Sequence, residues 1–206
     1  MASLYDRYIL PKFLKCACSS SPVMKQRAKV VPKAQGRVLE LGIGMGLNLS
    51  LYDADKVESV TGVDPAAELR TIAEAAPRDP RLAVKVEDGT AEALPFDAAS
   101  FDCVVCTFTL CSVHTPAAAL GEARRVLKPG GRFLYCEHGL APDPDVAKWQ
   151  RRIEPVWKAI AGGCHLTRPV TAAVEAAGFK VERRDSMYIP GTPRFAGWSE
   201  WGEAAP

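Results

Sequence analysis

The chain holds 206 residues, 48% of them hydrophobic and 24% charged, with a formal net charge of +2. That length suits one globular domain with a sizeable core, and so much apolar content at so little net charge excludes a largely disordered chain. Seven cysteines are an odd number in a chain that needs no covalent staples, so reduced thiols and a cytoplasmic location are expected.

The charge is unevenly spread. Residues 1–37 carry eight basic side chains (Arg7, Lys12, Lys15, Lys25, Arg27, Lys29, Lys33, Arg37) against Asp6, which makes +7 there and −5 over the remainder. Such a front suits phosphates, lipid headgroups or an anionic substrate, or is simply a solvated face. No stretch reaches the roughly 18 to 20 apolar residues of a transmembrane helix. No signal-peptide pattern opens the chain.

In chain order, 37–41 reads as a first strand ended by glycines 42, 44 and 46, with a helix expected over 47–51. A second strand is predicted over 57–63, a helix over 66–75 stopped by Pro77, and a third strand over 82–86. Residues 101–108 are almost continuously apolar, as in a central parallel strand covered on both faces. A helix over 116–127 begins with Pro116 and is stopped by Lys128-Pro129-Gly130-Gly131, before a fifth strand over 132–137. Helices over 145–161 and 169–177, a strand over 179–184 and a last edge strand near Trp201 complete the pattern. The alternation predicts an α/β fold, a mostly parallel sheet with helices on both faces. Two late strands without a crossover helix predict a hairpin at one edge.

The glycine loop opens on Glu40: Glu40-Leu41-Gly42-Ile43-Gly44-Met45-Gly46. Glycines allow a sharp turn and a close backbone approach, and free amides after them suit a polar or anionic ligand. A dinucleotide loop would place glycine or alanine at position 47, where this chain has Leu47. Asp64 ends the second strand, 22 residues after Gly42, where an acid can hold two ribose hydroxyls. Its plainer role is to cap the helix that begins at Pro65.

The pattern E-x-G-x-G-x-G resembles motif one of the class I S-adenosylmethionine (SAM)-dependent methyltransferases. Asp88-Gly89-Thr90-Ala91-Glu92-Ala93-Leu94-Pro95-Phe96 resembles that family's G-D-A-E-x-L-P-F stretch, with Thr90 where the family has aspartate. Thr107-Phe108-Thr109-Leu110 and Lys128-Pro129-Gly130-Gly131 complete four ordered motifs. The resemblance implies a Rossmann-like fold, a mostly parallel seven-stranded sheet with an antiparallel edge strand, and SAM as cofactor, with Glu40, Gly42, Gly44, Gly46, Asn48, Asp64, Pro65, Asp88, Gly89, Thr90, Ala91, Thr107 and Phe108 around it. The adenine amino group then falls to Thr90, Asp88 or the amide of Ala91.

A narrower likeness runs from about Tyr5 to Gly178. Val104 through Val113, Glu137-His138, Trp149-Gln150, Pro155-Val156-Trp157 and Gly163 through Arg168 resemble the group of animal alkyl thiol S-methyltransferases and their bacterial relatives. The animal enzymes carry an apolar N-terminal anchor; here the likeness starts at Tyr5-Asp6-Arg7-Tyr8, and membrane residence is not carried over. One domain over 1–206 is expected: a lid or capping segment at 1–36, a cofactor half at 37–137 and a substrate-side half at 138–206.

The resemblance implies methyl transfer to a small, apolar acceptor, a thiol first, with phospholipid amines, quinones and natural-product atoms as alternatives. Transfer needs a nucleophile held roughly 3–3.5 Å from the methyl and in line with the departing sulfur. A thiol must also be a thiolate, and an amine or hydroxyl needs a general base. Glu137, His138 and His114 are the catalytic candidates, since they follow strands on the carboxyl edge of the sheet. For Glu137 and His138 a structural hydrogen bond is the competing role. Asp6 and His165 are weighed beside them, and His165 suits packing or capping.

Tyr5, Tyr8, Cys111, Trp149 and Trp157 are candidate substrate contacts. Cys111 equally suits a small buried hydrophobe, and the stripe Trp149, Ile153, Trp157 and Ile160 suits core packing. The apolar and basic residues before position 30 suit a water-excluding lid or weak contact with a membrane surface. Cys103 and Cys106 face opposite sides of a strand and Cys16-x-Cys18 has no histidine nearby, so no metal is expected. No nucleic-acid motif is present, and a monomer or dimer is expected. Rival functions are a nicotinamide-dependent oxidoreductase and a SAM-binding protein without turnover.

Overall fold

The computed structural model describes residues 17–206. Tyr5, Asp6 and Tyr8 lie outside the described residues. Helix α1 (Ser21–Arg27) and a 3-10 turn (Val31–Lys33) lead into β1 (Gly36–Leu41). Then come β2 (Val57–Asp64), α2 (Ala67–Glu74), β3 (Ala83–Asp88), β4 (Phe101–Thr107), α3 (Pro116–Val126) and β5 (Leu127–His138). The last part contains α4 (Pro144–Ile160), α5 (Val170–Ala176), β6 (Lys180–Tyr188), the short α6 (Arg194–Gly197) and β7 (Trp198–Ala205).

Seven strands form one sheet in the order β3-β2-β1-β4-β5-β7-β6. The first five are mutually parallel, whereas β7 runs antiparallel to both β5 and β6. The expected hairpin at one edge is therefore present. Its two strands exchange places, however: β7 lies inside, paired to β5, and β6 forms the margin. The burial patterns explain the swap, because β7 is mostly buried and β6 is exposed along most of its length.

Strand alternation divides the core into two layers. Leu39, Leu41, Val104, Cys106, Phe133 and Tyr135 pack on the face covered by α3 and α5. Val38, Cys103, Val105, Leu134 and Cys136 pack on the other, with Val30, Val31, Leu49 and Tyr52. Cys103 and Cys106 do point to opposite faces, as their separation of three in a strand requires. The segment 26–34 belongs to this core, because Gln26, Arg27, Val30, Val31 and Ala34 are buried. It is part of the packed layer and not merely a cover.

Two local expectations change. No regular helix follows the glycine loop: residues 44–51 form successive turns, with Gly46, Leu49 and Leu51 each donating to the carbonyl three residues before. Gly44 and Gly46 take positive φ values of 55° and 73°, which interrupts any α-helical run. The 128–131 stop becomes an excursion inside β5, between the pairs Phe101↔Leu127 and Cys103↔Arg132. Lys128 anchors it through an ion pair of 2.7 Å with Asp102.

The β5–β7 contact leaves no room at Gly202. A Cβ there would lie 2.5 Å from the Arg183 carbonyl oxygen and 2.6 Å from the Tyr135 hydroxyl. Gly202→Ala should therefore lower unfolding free energy by about 1–3 kcal/mol, as read by urea denaturation; a loss below about 0.5 kcal/mol would refute this close packing.

Candidate active site

The sheet order reverses between β1 and β4, so the loops at their carboxyl ends diverge and leave a crevice, the usual ligand position in open α/β sheets. Glu40, in β1, is 2% exposed although its neighbours along the strand are apolar. It accepts hydrogen bonds from Asn48 Nδ2 at 2.9 Å and Tyr52 Oη at 2.7 Å. Burial pushes its carboxyl up to about 7, against these two bonds and the nearby Arg27 charge.

Arg27 enters the same crevice from the end of α1. Its Nη1 donates to Thr107 Oγ1 at 2.6 Å and to Asn48 Oδ1 at 3.1 Å, while its guanidinium lies 4.9 Å from the centre of the Phe108 ring. Its Nε is buried and has no hydrogen-bond partner among the described residues. Asn48 also donates to Thr107 Oγ1 at 2.9 Å. Thus Asn48, expected beside the cofactor, links Glu40, Thr107 and Arg27 and positions them.

The loop itself is built for close approach. Gly42 has φ +63°, and a Cβ on it would strike Thr109 Oγ1 at 2.5 Å. At Gly44 a Cβ would meet open space, apart from the Gly42 carbonyl oxygen at 3.8 Å. Asp64 is buried at the end of β2; its Oδ2 accepts from the Gly44 amide at 3.0 Å and its Oδ1 from the Ala66 amide at 2.9 Å. Burial raises its pKa, and the two amides oppose that shift. Asp64 therefore holds the turn that leads into α2 without capping that helix, ties down the glycine loop and keeps spare acceptor capacity on both oxygens.

Asp88 pairs in register with Asp64 but is exposed and ion-paired to Arg70 at 2.7 Å. Gly89 follows it, Thr90 is exposed, and Ala91 is buried under the loop. Glu92 accepts from the amides of His114 at 2.8 Å and Thr115 at 3.4 Å, which fastens this loop to the one after β4. His114 itself is exposed, held through its backbone.

At the ends of β4 and β5 the chemistry becomes richer. Phe108 is held at φ +52°, a costly backbone for a bulky residue, and stacks on His138 with ring centres 6.5 Å apart. Glu137 is fully buried; its Oε1 accepts from the amides of Thr109 at 2.7 Å and Leu110 at 3.1 Å, and its Oε2 has no partner. Burial, then the Cys111 charge, pushes its carboxyl up to about 7. Glu137 shapes the loop that carries Phe108 and Cys111.

His138 Nε2 lies 2.8 Å from Cys164 Sγ, and Cys111 Sγ joins them, all three atoms within 4.8 Å of one another. A hydrogen bond from Cys164, aided by the His138 charge, holds the Cys111 thiol well below its ordinary range. The Cys164 thiol is correspondingly pushed up. Burial acts to lower the His138 pKa, but the Cys111 charge outweighs it and the net shift is upward. Cys111, Ala161 and Cys164 form a small apolar cluster with Trp157 packed against it. His165 lies outside this group, 3.3 Å from Glu154, in keeping with a packing role.

The α4 stripe is divided. Trp157 turns inward, with its ring edge-on to Phe195 at 5.9 Å. Trp149 is 60% exposed and Ile160 43%, where core packing was expected. The reason is helical phase: α4 turns Ala147 and Gln150 inward, and Gln150 bonds to the backbone of Gly139 and Ala141 in the loop after β5 and of Phe195 in α6. Trp149 and Ile160, with Ile153 and one side of Trp157, line an outer groove of about 760 Å³ that also touches Arg152 and Phe195. Among the described residues, no helix is long and apolar enough to cross a membrane.

Arg27, Tyr52, Cys164 and Arg168 were not singled out from the sequence. Arg168 donates to the carbonyls of Leu110 and, at 2.6 Å, Val113, and so braces the Cys111 loop. A sequence signal existed for Arg27 only as one cation among eight. Cys164 and Arg168 stood within a family-like stretch that did not say what they touch.

The family model described as a methyltransferase domain matches residues 39–135. The chain is 34% identical over 200 residues to human thiol S-methyltransferase TMT1B, a match covering 92% of this chain and 81% of that protein. It is 38% identical over 149 residues to the TMT1B protein of Rattus norvegicus, covering 69% of this chain but only 59% of the rat protein. A SAM-dependent methyltransferase from Thermotoga maritima has the same fold, with a TM-score of 0.66 at 21% identity over 98% of this chain and 97% of that one. The crevice with its two buried acids, the glycine loop and these relationships agree: the chain belongs to the class I SAM-dependent methyltransferases, in the group that includes the thiol S-methyltransferases.

Proposed function

We propose that this protein transfers the methyl group of SAM to a small apolar thiol. SAM supplies a methyl group already activated on a sulfonium, so transfer is an in-line displacement. The residues of the crevice fit such a ligand: two buried carboxylates suit its ribose hydroxyls and cationic centres, and the buried Arg27 guanidinium, whose Nε has no partner among the described residues, suits its carboxylate. Asp64 would hold the ribose and Glu40 the positive side of the methionine moiety. Gly44 would let the backbone approach. The adenine amino group would fall to Thr90, Asp88 or the Ala91 amide.

The observation that carries the acceptor reading is the Cys111–His138–Cys164 group beside the apolar wall of Trp157 and Ala161. A thiol reacts as its thiolate, and the His138 ring, held beside these buried sulfurs, favours that form when it carries or donates a proton. Phe108 and Glu137 keep the His138 ring and the Cys111 loop in place, as positioning residues. The names of the thiol S-methyltransferase relatives support the same acceptor atom.

Two measurements test this reading. Asp64→Ala should weaken SAM and S-adenosylhomocysteine binding by about 1.5–3 kcal/mol, or roughly 10- to 150-fold, in calorimetry; an unchanged affinity would remove Asp64 from the site. Labelled methyl from SAM should pass to a small alkyl thiol in preference to a phospholipid amine or a hydroquinone. Label on the amine or hydroquinone alone would overturn the thiol assignment.

A further inference from the structure

We propose that Cys111, His138 and Cys164 bind a zinc ion whose fourth position is open to the acceptor's sulfur. The three residues stand 27 and 26 positions apart in sequence, on the loop after β4, the end of β5 and the loop after α4, yet their ligand atoms converge within 4.8 Å. Two thiolates and one imidazole form a donor set for a borderline-soft ion of tetrahedral habit; the absence of oxygen ligands from the set disfavours magnesium and calcium. Three protein ligands with one place left are the arrangement of a catalytic zinc, whereas structural zinc takes four.

The distances suit this with little movement. Zinc bonds of about 2.3 Å to sulfur and 2.0–2.1 Å to nitrogen put tetrahedral ligand atoms roughly 3.5–3.8 Å apart. The 2.8 Å between His138 Nε2 and Cys164 Sγ would open by less than about 1 Å, within the reach of side-chain torsions.

The ligands are also braced from outside, as metal ligands are. Phe108 stacks on the His138 ring, and the Cys111 carbonyl accepts the His165 amide at 2.8 Å, joining the two cysteine loops. Arg168 fixes the carbonyls of Leu110 and Val113 on one side of that joint. On the other side Glu154 accepts from the amides of Leu166 at 2.9 Å and Thr167 at 2.8 Å. Ala161 and Trp157 supply an apolar wall. Such bracing has a clear use if three distant side chains must present a fixed set of lone pairs.

The assignment of the fourth ligand rests on the thiol reading above; the ion itself does not. On metal binding Cys164 and the Cys111–His138 pair each give up one proton to solvent, leaving two thiolates and a neutral imidazole, and an acceptor thiol releases its proton to solvent as it takes the fourth place. In transfer, a sulfur lone pair of that thiolate forms the new carbon–sulfur bond while the methyl–sulfonium bond breaks. Its electron pair stays on the departing sulfur, giving S-adenosylhomocysteine, and the neutral thioether leaves the ion. No electrons are exchanged with the protein.

The test is metal content. The full chain, equilibrated with Zn²⁺ and passed through a desalting column, should retain about one zinc per chain by mass spectrometry. Cys111→Ser and Cys164→Ser should each lose it while keeping the wild-type circular dichroism. Cobalt in its place should give the visible bands of a tetrahedral thiolate site, and a small alkyl thiol should shift them. Wild-type protein that retains far less than one zinc, or peptide mapping that finds a Cys111–Cys164 disulfide in its place, would overturn the proposal. Retention of zinc by both serine variants would do the same. Stoichiometric zinc with cobalt bands that no thiol moves, and label on a different acceptor, would uphold the metal site and overturn the thiol reading.

Discussion

Arg27→Met should lower the unfolding free energy by about 2–4 kcal/mol near pH 8, the cost of two charge-assisted hydrogen bonds to buried acceptors and of a cation near the ionised Glu40. Arg27 is 6% exposed and satisfies Asn48 and Thr107 directly, while its charge lowers the pKa of Glu40. Methionine keeps the length of the side chain and its helix propensity, so the loss reports on charge and hydrogen bonds and not on a cavity. The effect should shrink toward pH 6, where Glu40 takes up a proton and no longer needs a cation. The double variant with Glu40→Gln should lose less than the sum of the two single changes, because the residues share one network. Urea denaturation at both pH values measures all of this. A loss under about 0.5 kcal/mol at pH 8 would mean that Arg27 is not the cation that holds Glu40.

The second large effect is the pH dependence that Glu40 itself imposes. Its folded-state pKa stands at about 7, against an ordinary 4.5. Between those values the folded protein binds more protons than the unfolded chain, so stability must fall as pH rises through the window. At about 1.4 kcal/mol per unit the loss is roughly 3 kcal/mol, complete a little above pH 7. Glu40→Gln should remove that share of the slope. The Glu137 carboxyl, also pushed up to about 7, adds a parallel slope that this variant leaves in place, so the readout is the difference between the two curves. Identical curves would place the Glu40 carboxyl at an ordinary pKa. The proposed cofactor should reverse the preference, because a cationic ligand favours the ionised acid. Affinity for SAM should rise with pH through about 7 in the wild type and become flatter in Glu40→Gln.

What could be read from the sequence follows from how locally each signal is encoded. Glu40, the three glycines and Asp64 lie at strand ends, so their spacing alone predicts where they meet. The parallel sheet was equally legible, since runs such as 101–107 are apolar on both faces. The helix expected over 47–51 failed because two positive-φ glycines and close packing outrank propensity: a Cβ on Gly46 would lie 2.8 Å from the Ala76 methyl. The Trp149 stripe misled for a related reason. Periodicity shows that one face of α4 is apolar, but the face with Ala147 and Gln150 turned inward because Gln150 closes three backbone contacts with the loop after β5 and with α6.

Composition and motif determined the fold class, the carboxyl edge of the sheet as the ligand side and the family, because each depends on neighbouring residues or on regular strand spacing. Only the tertiary structure selected Arg27 from eight scattered cations, and only it joined Cys111, His138 and Cys164. Residues far apart in the chain have no mutual spacing to read. Their meeting depends on sheet order and on braces such as Arg168 and Glu154, which exist once the loops have folded against one another.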